Sequence, residues 1–299
     1  MAALFQLVVS GVALGCIYAL VALGFVLIFR ATGVLNFAHP EFLLLGAYLI
    51  LTFGSAGLGL PWGLALIATI VVTALIAVSF NAVVIRRMMG QPLFAIVIVT
   101  LGFGIALRQI ISVLYGDAPR AIGSPWGAAT VTVGEATITW TNLITIIVTV
   151  LIVGAFLAFN RFSAYGIGMR AAAFDEEAAA AVGIPNRRIH MLAWALAAAI
   201  AAIAGLLLAS FPRSAVPELS FVALRAIPAA VLGGFDSVAG ALVGGMLIGL
   251  AEVSVLSTQS GYADVVGTNF HLVSAYVVLL AVLWVRPHGL FGTPEIERV

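Results

Sequence analysis

Uncharged apolar segments, each long enough to cross a lipid bilayer, recur along the whole of this chain. The longest, Phe42 to Ile85, runs for 44 residues without an Asp, Glu, Lys or Arg, whereas a membrane-spanning helix needs about 20 apolar residues. Of the 299 residues, 63% are hydrophobic and 8% are charged, against roughly 25% charged in an ordinary soluble domain. A water-soluble fold cannot hide so much apolar surface, so the sequence predicts an all-α polytopic membrane protein.

The apolar segments divide into about eight spans, within a range of roughly seven to nine. The clear apolar segments are Leu4–Phe29, Phe42–Ile85 (divided by turn residues from Gly54 to Pro61), Leu93–Tyr115, Thr141–Asn160, Met191–Phe211 and the long region Phe221–Val285. The first span is expected to be retained, because no Lys or Arg precedes it and no convincing cleavage site follows it. Residues 1–299 are therefore interpreted as one transmembrane domain.

Arginine placement predicts the orientation, because basic residues concentrate in cytoplasmic loops. The segments assigned to the cytoplasm are Arg86-Arg87, residues 161–190 and Arg286. Residues 116–139 and the link Pro212–Ser220 are then extracytoplasmic. In the first of these, two alternating Thr/Val/Ile runs flank Gly134-Glu135, a pattern that predicts a small β-hairpin.

Two segments interrupt apolar stretches with Gly, Pro or both. Residues 30–42 and 225–237 each begin with Arg-Ala and reach an acidic residue, Glu41 or Asp236, eleven positions later. Discontinuous helices in repeat-built transporters have this character, so broken or re-entrant helices are expected at both places. The shared residues are too few to establish an internal repeat, and coincidence is an equal alternative.

Several charged residues lie at or near membrane depth, where an ionised group normally faces a protein interior or a watery cavity. They are Arg30, Glu41, Arg108, Arg225, Asp236 and Glu252. Glu252 and His271 are candidates for a polar pair, for which a structural hydrogen bond is favoured over a proton path. For His39 a hydrogen-bonded structural role is favoured over a metal ligand, because the four histidines are scattered and no HExxH motif occurs.

The absence of lysine excludes several chemistries. All 13 basic residues are Arg, so the chain contains neither a P-loop, whose Lys reaches the nucleotide phosphates, nor a Schiff base. No Gly-x-Ser-x-Gly motif occurs, and Cys16, the single cysteine, has no partner for a disulfide within the chain. We predict no enzyme, no metal and no cofactor in this chain; if ATP drives its work, another subunit must bind the nucleotide.

Residues 161–190 form a charged loop in an otherwise apolar region, with 7 of the 25 formally charged residues. Within this loop the Ala-rich stretch Met169–Val182 contains no Pro and predicts a helix of about three to four turns. Gly183 is expected to end the helix, and Pro185 prevents it from resuming. Small residues on the helix surface favour docking into a partner over the alternative of a solvated connector.

Four motifs, in order, resemble the permease subunits of Liv-type branched-chain amino acid ABC importers, the H-type subunit more closely than the M-type. The motifs lie at Ile17–Leu49 (with the core NFAHPEF at Asn36–Phe42), Gly166–Ile184, Arg225–Glu252 and Trp284–Gly292. The resemblance covers nearly the whole chain. Pro40 is a mild departure, since many members have Gly at that position.

The resemblance implies a machine of several chains in the bacterial inner membrane. The implied partners are a second permease subunit of M-type, two cytoplasmic ATPase subunits that bind ATP and Mg, and a periplasmic substrate-binding protein. The implied activity is ATP-driven uptake of branched-chain amino acids or related small polar solutes by alternating access. An ion-coupled secondary transporter or channel is the alternative, with Glu41, Asp236, Glu252 and His271 as proton or ion sites.

The motifs and the resemblance together assign residues to three candidate sites. The predicted ATPase-coupling residues are Arg170, Ala172, Asp175, Glu176, Ala179 and Gly183. The predicted helix breaks near the translocation pathway involve Asn36, His39, Glu41, Gly233, Gly234 and Asp236. The predicted contact with the binding protein is the hairpin tip at Val133, Gly134 and Glu135.

Overall fold

The protein is mostly helical, as predicted, in a computed structural model that describes residues 2–210, 212–262, 267 and 269–292. The helices are α1 (Ala2–Thr32), α2 (His39–Phe53), α3 (Trp62–Phe80), α4 (Arg86–Met88), α5 (Leu93–Tyr115), α6 (Trp140–Phe162), α7 (Ala164–Phe174), α8 (Glu176–Ala181), α9 (Asn186–Ala209), α10 (Leu219–Leu224), α11 (Ala226–Gly233), α12 (Val238–Ser257) and α13 (Phe270–Val285). A five-residue π-helix, Asn81–Ile85, joins α3 to α4.

Among the described residues, six helices are long and apolar enough to cross a membrane. They are α1, the continuous helix Trp62–Met88 that contains α3 and α4, and α5, α6, α9 and α12. Helices α2 and α13 are apolar but have only 15 and 16 residues, which at about 1.5 Å per residue is less than the roughly 30 Å of a bilayer core. The segment Leu219–Gly233, which contains α10 and α11, is a third short apolar segment. The predicted count of about eight spans needs two of these three short segments and stays a prediction.

Turn residues set the helix ends where the sequence indicated them. Helix α2 ends at Phe53, and α3 begins at Trp62, directly after Pro61. Helix α5 occupies the predicted span Leu93–Tyr115 and is ended by Gly116, whose φ of +73° favours glycine. The predicted end of another span, Phe211, lies outside the described residues.

The chain folds into two compact units, each discontinuous in sequence. Unit 1 comprises the chain up to Val26, residues Ala128–Thr149 and the chain from Ala223 onward; unit 2 comprises Leu27–Gly127 and Val150–Val222. Helices α1, α6 and α10 contribute residues to both units. The interpretation of residues 1–299 as one transmembrane domain stays a prediction.

In unit 1, small residues bring α1 and α12 into backbone contact. A Cβ on Gly15 would lie 2.8 Å from the Cα of Met246, and one on Gly249 would lie 2.2 Å from the backbone nitrogen of Gly15. Gly11, one turn away, faces Leu250 in the same way. Within a membrane such close packing is a main source of helix association. The G-x-x-x-G spacing of Gly11 and Gly15 places both glycines on the face of α1 that contacts α12.

The predicted β-hairpin is confirmed in unit 1. Strands β1 (Thr130–Val133) and β2 (Ala136–Thr139) pair antiparallel, with Val133 opposite Ala136. Gly134 takes a φ of +63° in the two-residue turn, a conformation that glycine adopts without steric cost.

Unit 2 is built around α9, on which α2 and α3 pack. A Cβ on Gly46 of α2 would lie 2.4 Å from the Cα of Ala202, and one on Gly205 of α9 would lie 2.0 Å from the carbonyl oxygen of Leu43. Larger residues at these positions would separate the helices.

In unit 2, the first part of the predicted extracytoplasmic segment 116–139 lies beside the predicted extracytoplasmic link Pro212–Ser220. Arg120 and Ala215 exchange backbone N–H···O hydrogen bonds of 3.0 and 2.8 Å. This bridge joins the loop after α5 to the link Pro212–Ser220. Their placement on one side of the membrane is therefore consistent with the structure.

Candidate functional site

The first helix break lies between α1 and α2, at residues 33–38. Gly33 has a φ of +66° and donates its N–H to the carbonyl of Phe29 at 2.7 Å, which ends α1. The Asn36 side chain then accepts the N–H of Ala38 at 3.0 Å. Pro40 occupies the first turn of α2, where its missing N–H removes no helical hydrogen bond. The predicted interruption within residues 30–42 is thus present.

The three predicted pathway residues of this break lie together and are buried. Asn36, His39 and Glu41 are 1%, 0% and 2% exposed. The break is held to α5, because Thr100 accepts the N–H of Phe37 at 3.2 Å. The Nδ2 atom of Asn36 has no hydrogen-bond partner among the described residues, so this break retains a buried donor available for a new interaction.

Glu41 forms a buried ion pair with Arg108 of α5. The Nε atom of Arg108 donates to Glu41 Oε1 at 3.1 Å, and its Nη2 atom contacts the same oxygen. The guanidinium also lies over the ring of Phe221, 4.4 Å from its centroid. Pairing compensates much of the cost of placing two charges away from water. Sequence spacing could not have revealed this pair, because its members are 67 positions apart.

Glu252 of α12 accepts hydrogen bonds on both carboxylate oxygens in unit 1. The hydroxyl of Tyr18 donates to Oε2 at 2.6 Å, and Nη1 of Arg225 donates to Oε1 at 2.7 Å. The predicted pair with His271 is therefore wrong. The physical reason is that a guanidinium, with its permanent charge and several N–H donors, compensates a buried carboxylate better than an imidazole does. The close packing of α1 on α12 then supplies the phenol.

Replacing Tyr18 by Phe is expected to destabilise the protein by about 1–3 kcal/mol, because Glu252 Oε2 would lose its donor while staying buried. The measurement is thermal unfolding of the purified chain in detergent. The matched control is Tyr276→Phe, since Tyr276 is 44% exposed on α13, and its melting temperature is expected to stay unchanged. Equal melting temperatures for the two variants would contradict a structural role for the Tyr18 hydroxyl.

The second helix break lies between α11 and α12. Gly233 ends α11, and Gly234 follows with a φ of +95°. The Ser237 hydroxyl then accepts the N–H of Gly240 at 3.0 Å and caps α12. A Cβ on Gly233 would lie 2.2 Å from the carbonyl carbon of Gly240, so both positions require a residue without a side chain. Asp236 is half-buried in this break, and the predicted interruption within 225–237 is present.

The segment after α13 covers this break, which sequence reasoning did not foresee. Leu290 and Phe291 donate their N–H groups to the carbonyls of Leu232 and Gly233 at 2.8 and 3.2 Å. These bonds satisfy carbonyls at the end of α11 that have no helical partner. The signal in the sequence was the motif Trp284–Gly292, which ends on the glycine that contacts Gly234.

The charged loop 161–190 forms two helices, and the prediction of one helix over Met169–Val182 is wrong. Asp175 is extended, with a φ of −157°, and its carboxylate accepts the N–H of Ala178 at 2.9 Å. An acidic side chain followed by two more acids favours a new helix N-terminus over continuation. The predicted stop is confirmed, since α8 ends at Ala181 and Gly183 takes a φ of +87°.

The predicted coupling residues differ in exposure. Ala172 and Ala179 are buried within unit 2, and Arg170 is half-buried. Asp175, Glu176 and Gly183 are exposed. Two large apolar side chains that sequence reasoning missed are also exposed, Phe174 at 92% and Val182 at 78%. Phe174 is the last residue of α7 and Val182 directly follows α8, so each marks the end of one short helix in the charged loop.

The hairpin tip borders an open apolar groove in unit 1. The groove has a volume of about 580 Å³ and is lined by Val133, Glu135 and the start of α1, including Leu4 and Phe5. Val133 is 53% exposed. The predicted binding-protein contact thus combines an acidic group with an apolar surface.

Comparison with known proteins gives the family. Residues 7–283 match the family described as the permease component of the branched-chain amino acid transport system. The chain belongs to this permease family. The match includes both helix breaks and the charged loop, and it confirms the predicted resemblance to Liv-type permeases. With six helices able to span a membrane, the permease is a multi-pass protein of the cell inner membrane.

Named relatives match the permease over nearly its full length. It is 34% identical over 310 residues to the high-affinity branched-chain amino acid transport system permease protein LivH of Escherichia coli strain K12, covering 98% of this chain and 97% of that protein. It is 31% identical over 307 residues to BraD, a permease protein of the same kind of system in Pseudomonas aeruginosa, with the same coverage.

A solved structure shows the same fold. The structure of PsaBC from Streptococcus pneumoniae in complex with Fab is similar to the permease with a TM-score of 0.51. The similarity covers 95% of this chain and 92% of that chain at 17% sequence identity. At this identity the likeness concerns the fold alone.

Proposed function

We propose that the permease is the membrane subunit of an ATP-driven importer for branched-chain amino acids or related small polar solutes and that it works by alternating access. The observation that carries this proposal is the match to LivH over 98% of the chain. Because the chain contains no Lys, ATP and Mg belong to separate ATPase subunits.

The charged loop supports the proposed coupling to those ATPase subunits. Phe174 and Val182 expose large apolar side chains beside the acidic residues Asp175, Glu176 and Glu177. An aromatic anchor with a polar rim is the usual composition of a protein interface. We assign the anchors to Phe174 and Val182, and we assign to Asp175 and Gly183 the role of fixing the two short helices that present them.

The helix breaks support the proposed pathway. Non-helical backbone is tolerated at membrane depth only where it is buried in protein or lines a cavity. Asn36, His39 and Glu41 satisfy this condition in the first break, and Gly233, Gly234 and Asp236 do so in the second. Rearrangement of these breaks is the proposed source of alternating access.

The proposed topology has about eight spans, with α2 and α13 added to the six long helices. The charged loop and Arg86 are placed in the cytoplasm and the hairpin outside, following the arginine distribution. The hairpin tip, at Val133, Gly134 and Glu135, is then available to a periplasmic substrate-binding protein. An M-type chain is proposed as the second permease subunit.

The ion-coupled alternative has less support. A carboxylate that carries a proton or ion through a transport cycle must be able to release its partner. Glu41 and Glu252 are instead held by Arg108 and Arg225. These pairs favour a structural role for both acids.

The proposal is tested by reconstituting the permease with its M-type partner, the ATPase subunits and the binding protein in liposomes. We expect uptake of radiolabelled leucine that requires both ATP and the binding protein and that persists when ionophores collapse the ion gradients. Leucine uptake by the chain without ATPase subunits, driven by an imposed proton or sodium gradient, would instead support the secondary transporter.

A further inference from the structure

A cavity of about 180 Å³ lies in unit 2, where the end of the span Trp62–Met88 meets the start of α9. Its volume far exceeds the roughly 15 Å³ that a single water needs. The polar side chains that line it are Asn81, Arg86, Glu176, Asn186, Arg187 and His190. None of these residues belongs to the helix breaks.

The cavity has an excess of positive charge. Arg86 and Arg187 line it, and among the described residues neither guanidinium has a hydrogen-bond or ion-pair partner. The single acid in the lining is Glu176, whose Oε1 atom lies 3.4 Å from Nε2 of His190. Helix α9 begins here at Asn186 and continues for 24 residues, so its positive end adds to the field of the two arginines.

Buried polar groups in the lining have no partner within the described part of the chain. Asn81 is 5% exposed and makes no side-chain hydrogen bond there. The Oδ1 atom of Asn186 is also buried and without a partner. Native proteins rarely leave such groups unsatisfied. Asn81 is also the first residue of the π-helix Asn81–Ile85, a rare structure that is frequent at functional sites.

The position of the cavity favours a lipid occupant. Its lining includes Met89, which directly follows the span Trp62–Met88 and is 41% exposed. Val83, on the same span, is 55% exposed. A soluble anion would gain nothing from these apolar side chains. A phospholipid would place its phosphate between the arginines and its acyl chains along the exposed apolar side of the span.

We propose that this cavity binds the headgroup of an anionic phospholipid. Arg86 and Arg187 bind the phosphate, and Asn81 donates to a phosphate oxygen. The Oδ1 atom of Asn186 accepts a headgroup hydroxyl, which phosphatidylglycerol has and phosphatidylcholine lacks. Since the Asn186 amide already donates to the Glu176 carbonyl at 2.9 Å, the lipid fastens α8 to the end of the span.

The test is native mass spectrometry of the full-length permease titrated with dioleoylphosphatidylglycerol, dioleoylphosphatidylcholine and inorganic phosphate. The double variant R86Q/R187Q is compared with R87Q/R188Q, which removes the same charge from adjacent exposed residues outside the lining. We expect R86Q/R187Q to bind phosphatidylglycerol roughly 25-fold more weakly, at about fivefold for each of the two arginines near a membrane surface. We expect the control to retain affinity within about twofold, and Asn81→Leu to weaken binding without any change of charge.

The proposal is overturned if both arginine pairs lose affinity equally, because binding would then follow general surface charge. Equal affinity for phosphatidylcholine would also overturn it, as would binding of inorganic phosphate as tight as that of the lipid. Phosphatidylglycerol binding that disappears when the ATPase subunits are added would assign the cavity to the protein partner instead. The substituted arginines are exposed, so the variants are expected to fold, which gel filtration verifies.

Discussion

Replacing Glu41 by Ala is expected to destabilise the permease by roughly 3–5 kcal/mol, because it leaves the partly buried Arg108 without its counter-charge. Arg108→Ala is expected to have a cost of the same order, since Glu41 is 2% exposed and would keep a buried charge. The variant E41A/R108A removes both charges together. It is expected to be more stable than either single variant, because no unpaired ion remains.

The measurement is the melting temperature of each variant in detergent, with the double-mutant cycle as the decisive comparison. The control is Glu135→Ala at the hairpin tip, an exposed acid outside unit 2 whose removal is expected to change little. Additive losses in the double variant would show that the two residues do not interact. In that case the pairing of Glu41 with Arg108 would not explain how α5 is held against the first break.

The helix ends could be predicted because local residue chemistry decides them. Gly116 and Gly183 take positive φ angles that other residues avoid, and Pro61 precedes the first turn of α3. The hairpin was predictable for the same reason, since Gly134 separates two runs in which Thr alternates with apolar residues. These signals lie within a few residues of the structure they specify.

The loop 161–190 shows where local reasoning failed. Alanine favours a continuous helix over Met169–Val182, but the Asp175 carboxylate caps a new helix by accepting the N–H of Ala178. Both signals are present in the sequence. The preference of Asp175 for capping a new helix outweighed the helix propensity of the surrounding alanines. As a result Phe174 ends the first helix and is exposed, a feature that an uninterrupted helix would not have indicated.

The partners of the membrane-depth charges depend on tertiary packing and could not be derived from spacing. Tyr18 reaches Glu252 across 234 positions, and it does so because Gly15 and Gly249 let α1 and α12 touch. The sequence identified Glu252 as a charge that is costly at membrane depth and therefore needs a partner. It offered His271 as a partner only because the two residues lie in neighbouring spans.

Replacing Gly183 by Val is expected to weaken the coupling of ATP hydrolysis to leucine uptake, which is the second large effect. Gly183 has a φ of +87°, which a β-branched residue adopts only with a strain of about 1–3 kcal/mol. The bond from the Ile184 N–H to the Ala179 carbonyl at 3.0 Å depends on this turn. The variant is expected to populate the observed arrangement of α8 roughly tenfold less. Leucine uptake per ATP hydrolysed should fall to a similar extent, while membrane insertion is preserved.

The measurement pairs ATP hydrolysis with leucine uptake in the reconstituted importer. Gly154→Val is the matched control, because a Cβ on Gly154 of α6 meets no atom within 4 Å and valine is tolerated in a helix there. Asp175→Ala, which removes the cap of α8, is expected to reduce uptake per ATP in the same direction as Gly183→Val. Normal uptake in both coupling variants would refute the assignment of α7 and α8 to the ATPase contact. Loss of hydrolysis and uptake together, with the chain absent from the membrane, would show that Gly183 serves folding and that force transmission lies elsewhere.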